Sequence, residues 1–206
     1  MFPLEWVVLP GEELRLRIFE PRYTTMVTEE IRSGDPRFGV VLIARGREVG
    51  GGEQRNDVGT MARITGCAEL GAGRYALRCA IGERIRVTQW LPDDPYPRAI
   101  TEEWPDEPGQ PLGEHAFDNL EQRITALRQR MAPPRRGWFG RSVKAGTRVP
   151  RSSDATRRLY LLAGLVPMGA ADRYAVLAAP SLDERMAVVH EAIENVSARV
   201  EFDRRR

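Results

Sequence analysis

A single change of hydrophobic period divides this chain. Up to residue 104, apart from one early helix, apolar residues alternate with polar ones or run for the length of a strand; beyond residue 113 they recur in steps of three and four. Period two belongs to strands with one buried face, and period 3.6 to amphipathic helices. The stretch between, PDEPGQPLG (105–113), is rich in proline and glycine and reads as a linker. The expected fold is therefore α+β: a β-rich subdomain over 1–104, the linker, and a helical subdomain over 114–206.

In the β half, Leu14, Leu16 and Ile18 alternate with Arg15 and Arg17, and Pro10-Gly11 turns the chain between this strand and the apolar run Trp6-Val7-Val8-Leu9. A two-stranded start is expected. FGVVLIA (38–44) has the uninterrupted character of a strand buried on both faces. VGTMARITGCAEL (58–70) reads as a long strand, followed by a Gly71-Ala72-Gly73 hairpin, RYALRCAI (74–81), RIRVTQW (84–90) and PRAITEEW (97–104).

The early helix follows Phe19. Tyr23, Met26, Val27 and Ile31 share one face, Pro21 suits the first turn, and Gly34 suits a left-handed C-terminal cap. Glu20-Pro21-Arg22 is thus a strand-to-helix junction. Glu20 stands beside the free N–H groups of the helix start, a position worth about 0.3–1 kcal/mol to an exposed carboxylate.

In the helical half, Phe117, Leu120, Ile124, Leu127 and Met131 form one stripe. Asp154 is placed to cap a helix that Pro167 closes, AADRYAVLAA forms a short helix, and Ser181 and Glu184 have capping-box spacing ahead of a long final helix. Four helices with single apolar stripes suit a bundle, or packing on the β unit.

Hydrophobic residues make up 42% of the 206, enough for a substantial core. No basic leader or membrane-length apolar run occurs, and two cysteines are too few for a disulfide framework, so a cytoplasmic location is expected, with no membrane association. Cys67 and Cys79 are expected to be neutral buried thiols; His115 and His190 lie on separate helices, so no metal or cofactor is expected. Lys144 is the only lysine. Basic residues concentrate in 133–153, which holds Arg135, Arg136, Arg141, Lys144 and Arg148 around Trp138-Phe139, with Arg151 near its end. This segment suits a loop between helices, and its aromatic pair amid positive charge also suits an acidic partner or a nucleic acid.

FPLEWVVLPGEELRLRIFEPRYTTMV, followed in order by FGVVLI, EVGG, VGTMARI and GERIRV, resembles the Lon protease N-terminal domain family. The resemblance is strong over residues 1–103 and looser over the helical half. It implies a pseudo-barrel similar to the PUA fold followed by a helical bundle. No G-x-x-x-x-G-K-[ST] is present, GRSVKAGT (140–147) having its glycines and lysine in the wrong order, and no serine lies in the Lon nucleophile motif. A stand-alone, non-catalytic member of the family is the expectation.

By resemblance, such a module would bind unfolded or hydrophobic polypeptide segments, with Trp6, Phe19, Tyr23, Trp90, Trp138 and Phe139 as the residues to watch. An adaptor or nucleic-acid-associated role through the basic loop is the alternative.

Overall fold

The computed structural model of the protein describes residues 1–131 and 154–204. The basic segment 133–153, with Arg135, Arg136, Trp138, Phe139, Arg141, Lys144 and Arg148, lies outside the described residues. The chain divides into two compact units: Met1–Pro105 with Arg173–Ala178, and Asp106–Asp172 with Ala179–Arg206.

The first unit is built on a six-stranded mixed sheet. Its strands are β1 (Phe2–Leu4), β2 (Glu13–Ile18), β3 (Arg37–Arg45), β4 (Gln54–Glu69), β5 (Tyr75–Leu91) and β6 (Arg98–Glu103), with helix α1 (Pro21–Ser33) between β2 and β3. The order is β1-β3-β4-β5-β2, with β6 also paired to β5. β1 runs parallel to β3, Phe2 opposite Val40, and the other pairs are antiparallel.

The expected two-stranded start is corrected by this topology. Trp6-Val7-Val8-Leu9 is not a strand, and β1 and β2 are not paired to each other. The local chemistry of Leu9-Pro10-Gly11-Glu12 explains why. Glu12 N–H donates to the Leu9 carbonyl at 3.1 Å and Gly11 has φ 88°, the geometry of a type II turn. Gly11 N–H then donates to Ile81 O at 2.9 Å, and Ile81 N–H to Glu12 O at 3.0 Å. That is a glycine bulge, and it delivers the chain to β5.

β5 is one strand where two were expected. Its surplus residues Gly82-Glu83 are absorbed opposite Met61, between the Thr60–Arg84 and Ala62–Ile81 pairs, as a bulge that bends the strand without ending it. The β4–β5 turn lies at Gly71-Ala72-Gly73, all three with positive φ.

α1 has Pro21 in its first turn and Gly34 at φ 82° beyond its last. It buries Tyr23, Met26 and Val27 against Phe2, Leu14, Phe38 and Val40. Each such side chain removed from water contributes about 1.5–3 kcal/mol. Ile31, expected on the same face, is 44% exposed because the last turn runs past the core. Arg173, on α4 (Ala170–Ala178), donates to Val7 O at 2.8 Å and to Glu12 Oε2 at 2.6 Å.

The second unit packs α2 (Glu114–Met131), α3 (Ala155–Ala163) and α5 (Leu182–Arg204) against one another. Phe117, Leu120, Ile124 and Leu127 on α2, Leu159 and Leu162 on α3, and Met186, Val189, Ile193 and Val196 on α5 are all buried. Met131, at the end of the α2 stripe, is 41% exposed. Asp154 accepts the Arg157 N–H at 3.1 Å, and the Ser181 hydroxyl oxygen accepts the Glu184 N–H at 3.4 Å, so both caps form. Among the described residues no helix is long and apolar enough to cross a membrane.

Candidate functional site

β1 and β2 end the sheet path, yet both line one cleft of about 190 Å³ within the first unit. Phe2 and Leu4 form one wall, and Arg15, Leu16, Arg17 and Ile18 the other. Three apolar side chains at this cleft remain in water: Trp6 is 45% exposed, Phe19 58% and Val49 61%. Isolated exposed apolar residues are ordinary, but here three gather around one cleft.

Tyr23 also lines the cleft and is itself buried. Its ring lies 4.3 Å from that of Phe2, and the Arg22 guanidinium sits 4.5 Å from its centroid. Burial pushes the Tyr23 phenol well above the ordinary tyrosine range, so it stays neutral.

Glu20-Pro21-Arg22 sets the rim. The Glu20 carbonyl accepts the N–H groups of Tyr23 and Thr24, both at 3.0 Å. Its carboxylate makes no helix-capping bond and instead meets Arg22 Nη2 at 3.2 Å, both side chains being less than a fifth exposed. Glu48 lines the same wall; burial holds its carboxyl above the usual range, and the charges of Glu5 and Glu20 add to that.

The main chain of β2 is open on the cleft side. Ile81 N–H bonds Glu12 O, so in the antiparallel register Leu14–Cys79, Leu16–Leu77 and Ile18–Tyr75 are the hydrogen-bonded pairs with β5. The amides and carbonyls of Glu13, Arg15 and Arg17 therefore point away from β5, toward the side on which β2 has no neighbouring strand among the described residues.

Trp90 lies elsewhere, at the far end of β5. Its indole donates to Asp57 at 2.8 Å, and Arg55 stacks on its ring at 5.2 Å. Trp138 and Phe139 lie outside the described residues. Sequence reasoning missed Val49, hidden in a glycine-rich turn, and the Arg15–Arg17 wall, whose alternation was visible but whose open edge was not. The expectation of two buried thiols is corrected: Cys79 is buried and Cys67 is exposed, and both are free. Among the described residues no group of three His, Cys, Asp or Glu is placed to hold a metal ion.

A larger hollow of about 650 Å³ on the same unit is lined by Glu30, Asp35, Glu83, Arg37 and Arg98 as well as apolar groups. Its aromatic side chains are Phe38, buried, and Tyr96, half-buried.

A mixed sheet with one inserted helix, joined to a helical unit, defines the class of domain to which the chain belongs. The family model for the ATP-dependent protease La (LON) substrate-binding domain matches residues 1–195, and the chain belongs to that family. It is similar to the Lon N-terminal domain protein from Xanthomonas campestris, with 25% identity and TM-score 0.60, over 90% of this chain and 92% of that one. It shares its fold with the N-terminal domain of the Mycobacterium avium complex Lon protease, at 15% identity and TM-score 0.63, over 93% and 96% of the two chains. No curated protein gives a sequence match.

Proposed function

We propose that the chain recognises unfolded or hydrophobic polypeptide segments, in protein quality control, and that it does so at the cleft between β1 and β2. The observation that carries this reading is the gathering of exposed Trp6, Phe19 and Val49 around a hollow between two sheet ends. Covering such side chains is favourable by about 25 cal/mol per Å² of apolar surface removed from water. The open main chain of β2 supplies hydrogen bonds that any polypeptide can meet, whatever its sequence. A family described as substrate-binding is consistent with both.

The test is calorimetric titration of the full chain with a reduced, carboxymethylated protein that cannot refold. Trp6→Ser combined with Phe19→Ser is expected to weaken binding by about tenfold or more. Ile100→Ser, which removes an equally exposed side chain outside the cleft, is expected to leave it unchanged. Equal affinity of both variants and the parent chain would move the function away from this cleft.

A further inference from the structure

We propose that the open edge of β2 takes up an extended polypeptide strand in which apolar and acidic residues alternate. This deepens the reading of the cleft as a polypeptide site and depends on it. Three features of β2 support it.

The first is its free main chain. The N–H and C=O groups of Arg15 and Arg17 face the side on which no described strand lies beside β2. An antiparallel strand docking there would exchange hydrogen bonds with these two residues, and its own residues directly opposite them would share their face of the sheet.

The second is the pleat. Leu14, Leu16 and Ile18 are buried on the inner face, and Arg15 and Arg17 are exposed on the outer. Alternate residues of the added strand therefore lie on the side of Leu16 and Ile18, while those between them lie beside the two guanidinium groups and Phe19, which continues the exposed alternation.

The third is unbalanced charge. Arg15 stands directly opposite Arg78 on β5, and like charges so placed oppose strand pairing. Arg15 has one acidic partner, Glu13 at 2.6 Å, with both side chains at least half exposed. Among the described residues neither Arg17 nor Arg78 has an ion pair. A carboxylate opposite Arg15 and another opposite Arg17 complete this surface. Glu20, two residues beyond β2 and paired with Arg22, and Glu48 also line the cleft, so a uniformly acidic ligand is less favoured than an alternating one.

Dye-labelled peptides of about nine residues, the length of a long strand, test this by fluorescence anisotropy with the full chain. One peptide alternates Val or Leu with Glu; a second replaces Glu with Lys; a third is the acidic peptide with its alternate amides N-methylated. The acidic peptide is expected to bind at least about tenfold tighter than the other two. Arg15→Glu combined with Arg17→Glu, both on the exposed face, is expected to reverse the charge preference, with circular dichroism confirming the fold. Equal binding of acidic and basic peptides, no reversal in the charge-swapped chain, or indifference to N-methylation each overturns the inference while leaving polypeptide recognition standing. Self-association of the Arg15→Ala/Arg17→Ala chain without peptide binding also overturns it, because the arginines then serve only to keep the edge unpaired. If neither the peptides nor the unfolded protein bind, the broader reading fails with it.

Discussion

Arg185, fully buried, holds both carboxylate oxygens of Asp106, Nη1 at 3.0 Å from Oδ2 and Nη2 at 2.5 Å from Oδ1. Arg185 also donates to Ala179 O at 3.2 Å and stacks over Tyr160 at 4.3 Å, while Asp106 takes the Thr156 hydroxyl at 2.6 Å. The pair thus joins the start of the second unit to α3 and α5. Removing the arginine leaves a mostly desolvated carboxylate without its guanidinium, which costs about 3–5 kcal/mol at the upper end of what such a loss brings.

Arg185→Ala is accordingly expected to lower the urea midpoint steeply, by the equivalent of about 3–5 kcal/mol. Replacing both groups, Arg185→Met with Asp106→Leu, is expected to recover most of that loss. A double variant as unstable as the single one would show that the pair does more than balance its own desolvation.

The cysteines make a kinetic prediction. Burial pushes the Cys79 thiol up to about 12, with the neighbouring Cys67 contributing less. Cys67 is exposed, its thiol raised more modestly by partial burial and then by Glu69. At pH 8 a thiol-reactive disulfide reagent is expected to label one cysteine of the native chain slowly and the second only in denaturant, since the thiolate is the reacting species. Cys67→Ser is expected to abolish native labelling, and Cys79→Ser to leave it intact.

What could be read in advance, and what could not, follows from how local each determinant is. The α1 boundaries follow from Pro21 and Gly34 alone, because both act through the φ of their own residue. The stripes of α2 and α5 follow from spacing. By contrast, the parallel β1–β3 pairing and the open edge of β2 depend on contacts far apart in sequence, which no local pattern encodes. The buried arginines were hidden for another reason: an arginine is taken as surface. Arg185, three residues after Leu182 and four before Val189, nevertheless falls on the α5 stripe, and that position was a usable signal. Arg158, bonded to Glu114 and Glu121 at 2.9 Å each, is a second such case. Of the cleft, Trp6, Phe19 and Tyr23 were legible as aromatics near a junction, but not that Tyr23 is buried while the other two face water.

A glycine tests the sheet itself. A Cβ on Gly59 would collide with the Val40 carbonyl and crowd Val41 Cγ1 at 2.7 Å, where β4 passes β3. Backbone cannot yield as a flexible side chain can, so Gly59→Ala is expected to cost about 1–3 kcal/mol in thermal or chemical unfolding. Gly113→Ala, just before α2, meets nothing within 4 Å and is expected to cost less, about 1 kcal/mol or below, from the poorer N-cap alone. A Gly59 variant as stable as the parent would mean that β3 and β4 approach less closely than this register requires.

His190 predicts an acid sensitivity in the helical unit. Arg123 Nη1 lies 2.6 Å from His190 Nδ1, and Arg123 also donates to Glu194 at 3.1 Å. Partial burial, then the Arg123 charge, holds the imidazole below its ordinary value, with Glu194 opposing. The neutral ring accepts the guanidinium N–H; protonation would place two cations in contact. Because the folded value is the lower one, the unfolded chain takes up the proton first as pH falls. Stability is therefore complete above the ordinary histidine value of about 6.5 and declines as pH drops through and below it. Urea midpoints measured from pH 8 down to pH 5 are expected to fall in the parent chain, and to fall less in His190→Gln, whose amide can still accept from Arg123. Identical slopes in the two chains would assign the acid sensitivity to the carboxylates instead.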